Sequence, residues 1–267
     1  VPVLRNATRT KRTGLPSRLA IGLLALAALL SCYPFIAAGH PTSVDIWAHL
    51  ARQSIVYHAM KEGFAPFYTF MFYCGVPAFR FYSPLFYYLS GPLTLLTRGN
   101  LLLALRILLV LLHLLSAIAM YLYLLKREKG GKKREGAGLG PALGAIVYLV
   151  IPWRSLYLSR IANYPQALVY VLLPLGFLAL ENVLSGGGGK SDARGGMRQG
   201  LFLGLWVGLL FLSHLVYAVF TLALLASWCL AENPRRVLSE WRALGAAALA
   251  GIGVPAFFLV PFVVEQA

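Results

Sequence analysis

Apolar residues along this chain gather into runs near the length that crosses a bilayer, with short polar segments between them. Residues 19–38 (LAIGLLALAALLSCYPFIAA) form the first run, 101–125 the second, 139–158 the third with a more polar end, 165–184 the fourth and 243–264 the last. About 20 helical residues at about 1.5 Å each span roughly 30 Å of hydrocarbon, and a helix satisfies its own amides there. The runs therefore predict an all-α, polytopic transmembrane protein, read as a single domain over 1–267. The run at 201–230 is long for one crossing, and one tilted helix of about thirty residues is the alternative to a broken hairpin. Two half-length helices, 201–212 and 215–230, with a turn near Ser213 and His214, make it a broken hairpin whose turn must be sheltered from lipid.

Composition agrees with lipid as the solvent. Of the 267 residues 59% are hydrophobic and 12% charged, against about 25% charged in an average soluble domain. The net charge of +15 would suggest nucleic acid in a soluble protein, but its distribution argues otherwise. Segments 1–18, 126–135, 186–199 and 232–242 hold 17 of the 24 lysines and arginines. That is a positive-inside bias: it predicts a multi-pass cell-membrane protein with a cytoplasmic N-terminus and excludes a nucleic-acid partner. The broken hairpin is favoured because it returns Arg235, Arg236 and Arg242 to the cytoplasmic side. Although Arg5, Arg9, Lys11, Arg12 and Arg18 precede the first run, that run is long for a signal peptide and is read as an uncleaved helix. The chain begins at Val rather than Met and stops at an apolar run, as the N-terminal portion of a longer protein would.

Two motif classes are set aside. Cys32, Cys74 and Cys229 show no pairing or metal-ligand spacing, and Gly189-Lys190-Ser191 lacks the spacing of a phosphate loop.

This layout leaves two external segments, 39–100 and 153–164, and the candidate chemistry lies there. Residues 39–63 (GHPTSVDIWAHLARQSIVYHAMKEG) predict a helix capped by Thr42 or Ser43 and ended by Gly63, with Ile46, Trp47, Leu50, Ile55, Val56, Ala59 and Met60 giving an apolar side that can lie at the interface. Asp45 and His49, four apart, share a face. A carboxylate at a helix start sits where the dipole favours negative charge, and it can orient a hydroxyl or a cation. Asp45, His49 and His40 together are candidate ligands for a divalent cation, without the HExxH pattern. The following stretch is dense in Phe and Tyr, and Pro66, Pro77 and Pro84 interrupt it. Arg80, set among aromatics, needs a partner, for which a phosphodiester or diphosphate is the bidentate match. Arg154, Arg160, Asn163, Tyr164 and Gln166 in and just after the second segment, and His214 at the hairpin turn, can face the same cavity.

In order along the chain, Asp45 with His49, Gly75-Val-Pro77, Phe81-Tyr-Ser-Pro84-Leu-Phe-Tyr-Tyr88, Arg160 through Tyr164-Pro165-Gln166, and Leu212-Ser-His214 resemble membrane proteins related by label to 6-pyruvoyl-tetrahydropterin synthase. The arrangement also resembles the GT-C superfamily of membrane glycosyltransferases. The resemblance implies transfer of a sugar from a polyprenyl-phosphate donor to an envelope acceptor on the external face. It implies Asp45 as catalytic base with His49 beside it, and Arg80, Tyr82, Arg160, Tyr164, Gln166 and His214 as carrier-binding groups. Gln166 departs from the pattern, since a glutamate is expected after Tyr-Pro, and an amide cannot take a proton. With no second acid beside Asp45, dependence on a divalent cation stays open. So do transport or flipping of a polar or polyprenyl-linked lipid and a noncatalytic role in envelope assembly. Membrane lipids are implied partners in each case, and the sequence assigns no oligomeric state.

Overall fold

A computed structural model of the chain describes residues 15–37, 43–63, 68–69, 76–77, 79, 82–129, 138–186, 193–232 and 234–266. These residues are helical apart from turns and one two-residue antiparallel ladder. In chain order the elements are α1 (Leu15–Ser31), α2 (Tyr33–Ile36), α3 (Ile46–Glu62), β1 (Tyr68–Thr69), β2 (Val76–Pro77), α4 (Leu85–Leu96), α5 (Leu101–Lys129), α6 (Leu139–Val150) and α7 (Pro152–Leu156). A π-helical turn over Tyr157–Ile161 follows, then α8 (Gln166–Gly186), α9 (Ala193–Ser213), α10 (Leu215–Glu232), α11 (Pro234–Ser239), α12 (Trp241–Gly253) and α13 (Ala256–Gln266). Among the described residues four helical stretches, Arg18–Ile36 (α1 with α2), Leu101–Glu128, Gln166–Ser185 and Gly195–Ser213, are long and apolar enough to cross a membrane, and there are six if each of two bent pairs is one span.

Proline sets both bends. Ile151, held extended by Pro152, turns α7 by 41° from α6, and the Val254-Pro255 step turns α13 by 69° from α12.

Close packing fixes the direction of the later helices. Gly200, Gly204 and Gly208, one turn apart on α9, lie against Ala243, Ala247 and Val254 of α12. A Cβ on Gly204 would stand 2.6 Å from the Ala247 carbonyl oxygen. This is the small-residue contact that brings helix backbones together in lipid. The matched order of the two sets makes α9 and α12 parallel, so α10 carries the chain back between them. The break falls at His214, where the hairpin turn was expected, but the arms are not half-length: α9 has 21 residues and α10 has 18. The polar Arg198 and Gln199 continue the α9 helix beyond its apolar run. Ser83 shelters the break: its hydroxyl donates to the Phe211 carbonyl and accepts from the Leu215 N–H, each at 3.2 Å, satisfying backbone groups that a helix end leaves bare.

The described parts of the basic segments, at the start of α1, the ends of α5 and α8, the start of α9 and in α11, lie at one end of the bundle. There Lys126 and Arg127 at the end of α5 meet Glu181 of α8 at 3.5 and 3.1 Å. The start of α5, the end of α6, the start of α8 and the His214 break lie at the opposite end, and α3 and α4 pack there. Helix α3 starts later than expected: its N-cap is Asp45, with no side-chain capping bond, rather than Thr42 or Ser43. Gly63 ends it in the left-handed conformation at φ 77°, as expected. Its buried stripe also differs from a plain apolar face. Ile46, Leu50, Val56 and Ala59 share it with His49 and Gln53, while Trp47 is exposed. The polar members are paired, since the Gln53 amide donates to the Thr94 hydroxyl at 2.8 Å and to the Leu101 carbonyl at 2.9 Å, so α3 is held by α4 and α5.

Candidate functional site

His49 is the centre of the cluster at the α3 end. It is 1% exposed, and Tyr164, Tyr87 and Tyr82 surround its ring with centroids at 5.1, 6.0 and 6.2 Å. Its Nδ1 lies 2.6 Å from the Tyr87 hydroxyl, and the ring also bonds to the Ala162 backbone. Burial, and then the neighbouring Arg52 charge, push the imidazole down to about 3. A neutral ring results, so Nδ1 accepts from the Tyr87 O–H. The Arg52 guanidinium lies over the Tyr82 ring at 4.1 Å, which gives the cage a cationic wall.

Asp45 stands beside this cage and is exposed. Although four residues apart, Asp45 and His49 therefore occupy different environments, one in solvent and one in the packed interior. The Val44 N–H donates to the Arg160 carbonyl at 3.3 Å, which ties the start of α3 to the π-helical turn and puts Arg160, also exposed, in the same region as Asp45. Arg80 and His40 lie outside the described residues. Among the described residues no group of three His, Cys, Asp or Glu side chains is placed to hold a metal ion.

Residues 163–166 link this cage to two further polar groups. Tyr164 is buried against His49 and Phe86. The Asn163 amide lies 3.4 Å from His214 Nε2, and the His214 ring meets the Tyr217 ring at 4.6 Å. Gln166 is 2% exposed, its amide donates to the Tyr170 hydroxyl at 2.8 Å, and its Oε1 has no hydrogen-bond partner. Tyr170 in turn lies under the guanidinium of Arg154, at 4.6 Å from ring centroid to Cζ. One short turn thus touches Tyr164, Gln166 and His214, three of the residues expected from sequence.

Arg154, expected with Arg160 in the second external segment, is 2% exposed within a bent pair of helices. Its Nη2 donates to Ser116 Oγ at 2.5 Å and lies 3.0 Å from His113 Nδ1, and His113 Nε2 lies 2.7 Å from Ser31 Oγ. No carboxylate pairs with it among the described residues, and its Nε and Nη1 have no hydrogen-bond partner. The signal in sequence is an arginine close behind an apolar run.

At the coarsest level the site is a buried histidine-tyrosine cage with an exposed carboxylate and exposed arginine at its edge, on the end of the bundle away from the basic segments. A family model described as "6-pyruvoyl-tetrahydropterin synthase related domain; membrane protein" matches residues 79–266. The match takes in Tyr82, Arg160, Tyr164, Gln166 and His214 and begins after Asp45 and His49. Comparison with curated proteins and with solved structures gives no match.

Proposed function

The chain belongs to the 6-pyruvoyl-tetrahydropterin synthase related family of membrane proteins, and we propose that it is a membrane glycosyltransferase moving a sugar from a polyprenyl-phosphate donor to an envelope acceptor. The observation that carries this reading is the setting of Asp45. It is an exposed carboxylate beside the His49 cage, and Glu62 is the only other acid between residues 39 and 100. The positive-inside bias turns the basic end of the bundle to the cytoplasm and Asp45 to the outer face.

The reaction needs a base, an open path to the anomeric carbon and a charge for the leaving group. Asp45 takes the proton of the acceptor hydroxyl as its oxygen bonds to the anomeric carbon. The bond from that carbon to the carrier phosphate breaks, and the phosphate leaves with the electron pair. Arg160, with Arg80, balances the charge it gains. His49, neutral and bonded to Tyr87, is a positioning residue that fixes the aromatic wall, and Tyr82, Tyr164, Gln166 and His214 line the carrier's path. Lateral access from the outer leaflet keeps the apolar chain of the carrier in lipid.

Asp45→Asn tests the assignment in vesicles given a polyprenyl-phosphate sugar and acceptor. Transfer is expected to fall by about a hundredfold or more with membrane insertion and donor binding retained. Transfer at the wild-type rate removes Asp45 as the base. Carrier binding and movement by the wild-type protein with no transfer would favour a transporter.

A further inference from the structure

We propose that a second ligand site, for one anionic phospholipid, lies at the basic end of the bundle between α8 and α9. A cavity of about 620 Å³ opens there, within the range of small-molecule pockets. Its lining is ordered by polarity along α9. Arg198 and Gln199, with Asn182 of α8, form the part nearest the helix start, and Leu201, Phe202 and Leu205 continue it inward. From Arg198 to Leu205 is seven residues, or about 10 Å of rise, and the apolar wall begins about 4.5 Å from Arg198 at Leu201, so a charged wall passes directly into an apolar one.

Among the described residues no carboxylate is left to pair with the charge at this wall. Glu181 is shared by Lys126 and Arg127, and the Asn182 Oδ1 already accepts from Lys126 at 2.6 Å. Arg198 is exposed and forms no hydrogen bond or ion pair with another described residue. The Gln199 Oε1 is buried in the same wall without a hydrogen-bond partner. A phosphodiester bonds to the Arg198 fork. A headgroup hydroxyl donates to Gln199 Oε1, or the amide turns to offer its NH₂ to the phosphate. An acyl chain then lies along Leu201, Phe202 and Leu205, where the helix faces hydrocarbon. A nucleic acid or a soluble anion would use the guanidinium but leave the apolar half of the cavity unfilled. The site stands at the opposite end of the bundle from Asp45 and does not depend on the transfer reaction.

The test uses the full chain purified in detergent, with phosphatidylglycerol or phosphatidylcholine added, and reads thermal unfolding together with retained lipid by native mass spectrometry. Phosphatidylglycerol is expected to raise the unfolding temperature and to remain bound, and phosphatidylcholine is not. Arg198→Gln should weaken phosphatidylglycerol binding roughly fivefold, the loss of one surface cation's attraction. Arg235→Gln, at an exposed arginine of α11, should leave it unchanged. Equal effects of the two lipids, or equal losses in the two variants, would overturn the proposal, because the attraction would then belong to no particular cavity. Inorganic phosphate replacing the lipid's effect at similar concentration would also overturn it.

Discussion

Burial decides the charge of His49, and that gives the cage a pH dependence with a definite sign. The unfolded chain binds a proton at this side chain near pH 6.5, while the folded chain binds it only near 3. Between those values the unfolded state holds more protons, so stability is complete above about 6.5 and is lost as pH falls. The slope is up to about 1.4 kcal/mol per pH unit, or about 2 kcal/mol between about pH 6.5 and about pH 5. Thermal unfolding of the detergent-solubilised protein across that interval should show the loss in the wild type and a flatter profile in His49→Gln. An equal slope in both would place the acid sensitivity elsewhere. At this scale the sequence located Asp45 and His49 but not their separate fates. Helical spacing assigns a face, and whether a histidine on that face meets water or three tyrosines is settled by contacts with Tyr87 and Tyr164, far along the chain. The partners of Arg154 were hidden for the same reason, since nothing local announces that His113 and Ser116 will meet it.

Among the helices, the contact of α9 with α12 has the least room for change. Gly204→Val pushes a side chain into the Ala247 carbonyl and the Ala250 methyl, each 2.6 Å from a Cβ at that position, and should destabilise the protein by about 1–3 kcal/mol through overpacking. Gly245 of α12 has nothing within 4 Å of a Cβ, so Gly245→Ala should be neutral or stabilising by up to about 1 kcal/mol. Parallel urea or thermal titrations in one detergent compare the two. If Gly245→Ala were the more damaging, the direction inferred for α10 would fail with the packing. The apolar runs made the spanning helices legible, but the bends at Pro152 and Pro255 went unread, because a proline inside an apolar run does not change its hydropathy. The extension of α9 over Arg198 and Gln199 was not legible from hydropathy, because a helix continues into the headgroup region where polar residues are stable. The spacing of Gly200, Gly204 and Gly208 was the available signal for it.

Seen as a whole, the molecule sorts its chemistry by end. Asp45 belongs to one end, while Lys126 and Arg198 belong to the other. Single cysteines introduced at 45 and at 126, in a cysteine-free background, should label from opposite faces of sealed vesicles, and labelling from the same face would contradict the bundle's topology. The order of helices also sets how such a molecule can be built. Arg154 has its ring partners on α6 and α8 and its hydrogen-bond partners on α5. When the ribosome has delivered α7, the tyrosine from α8 has not yet been made. The α5 partners and the α6 ring are by then in place, so the guanidinium, costly when bare in hydrocarbon, enters already partnered. Helix α8 arrives last and closes with Tyr170 a place that the earlier helices had opened.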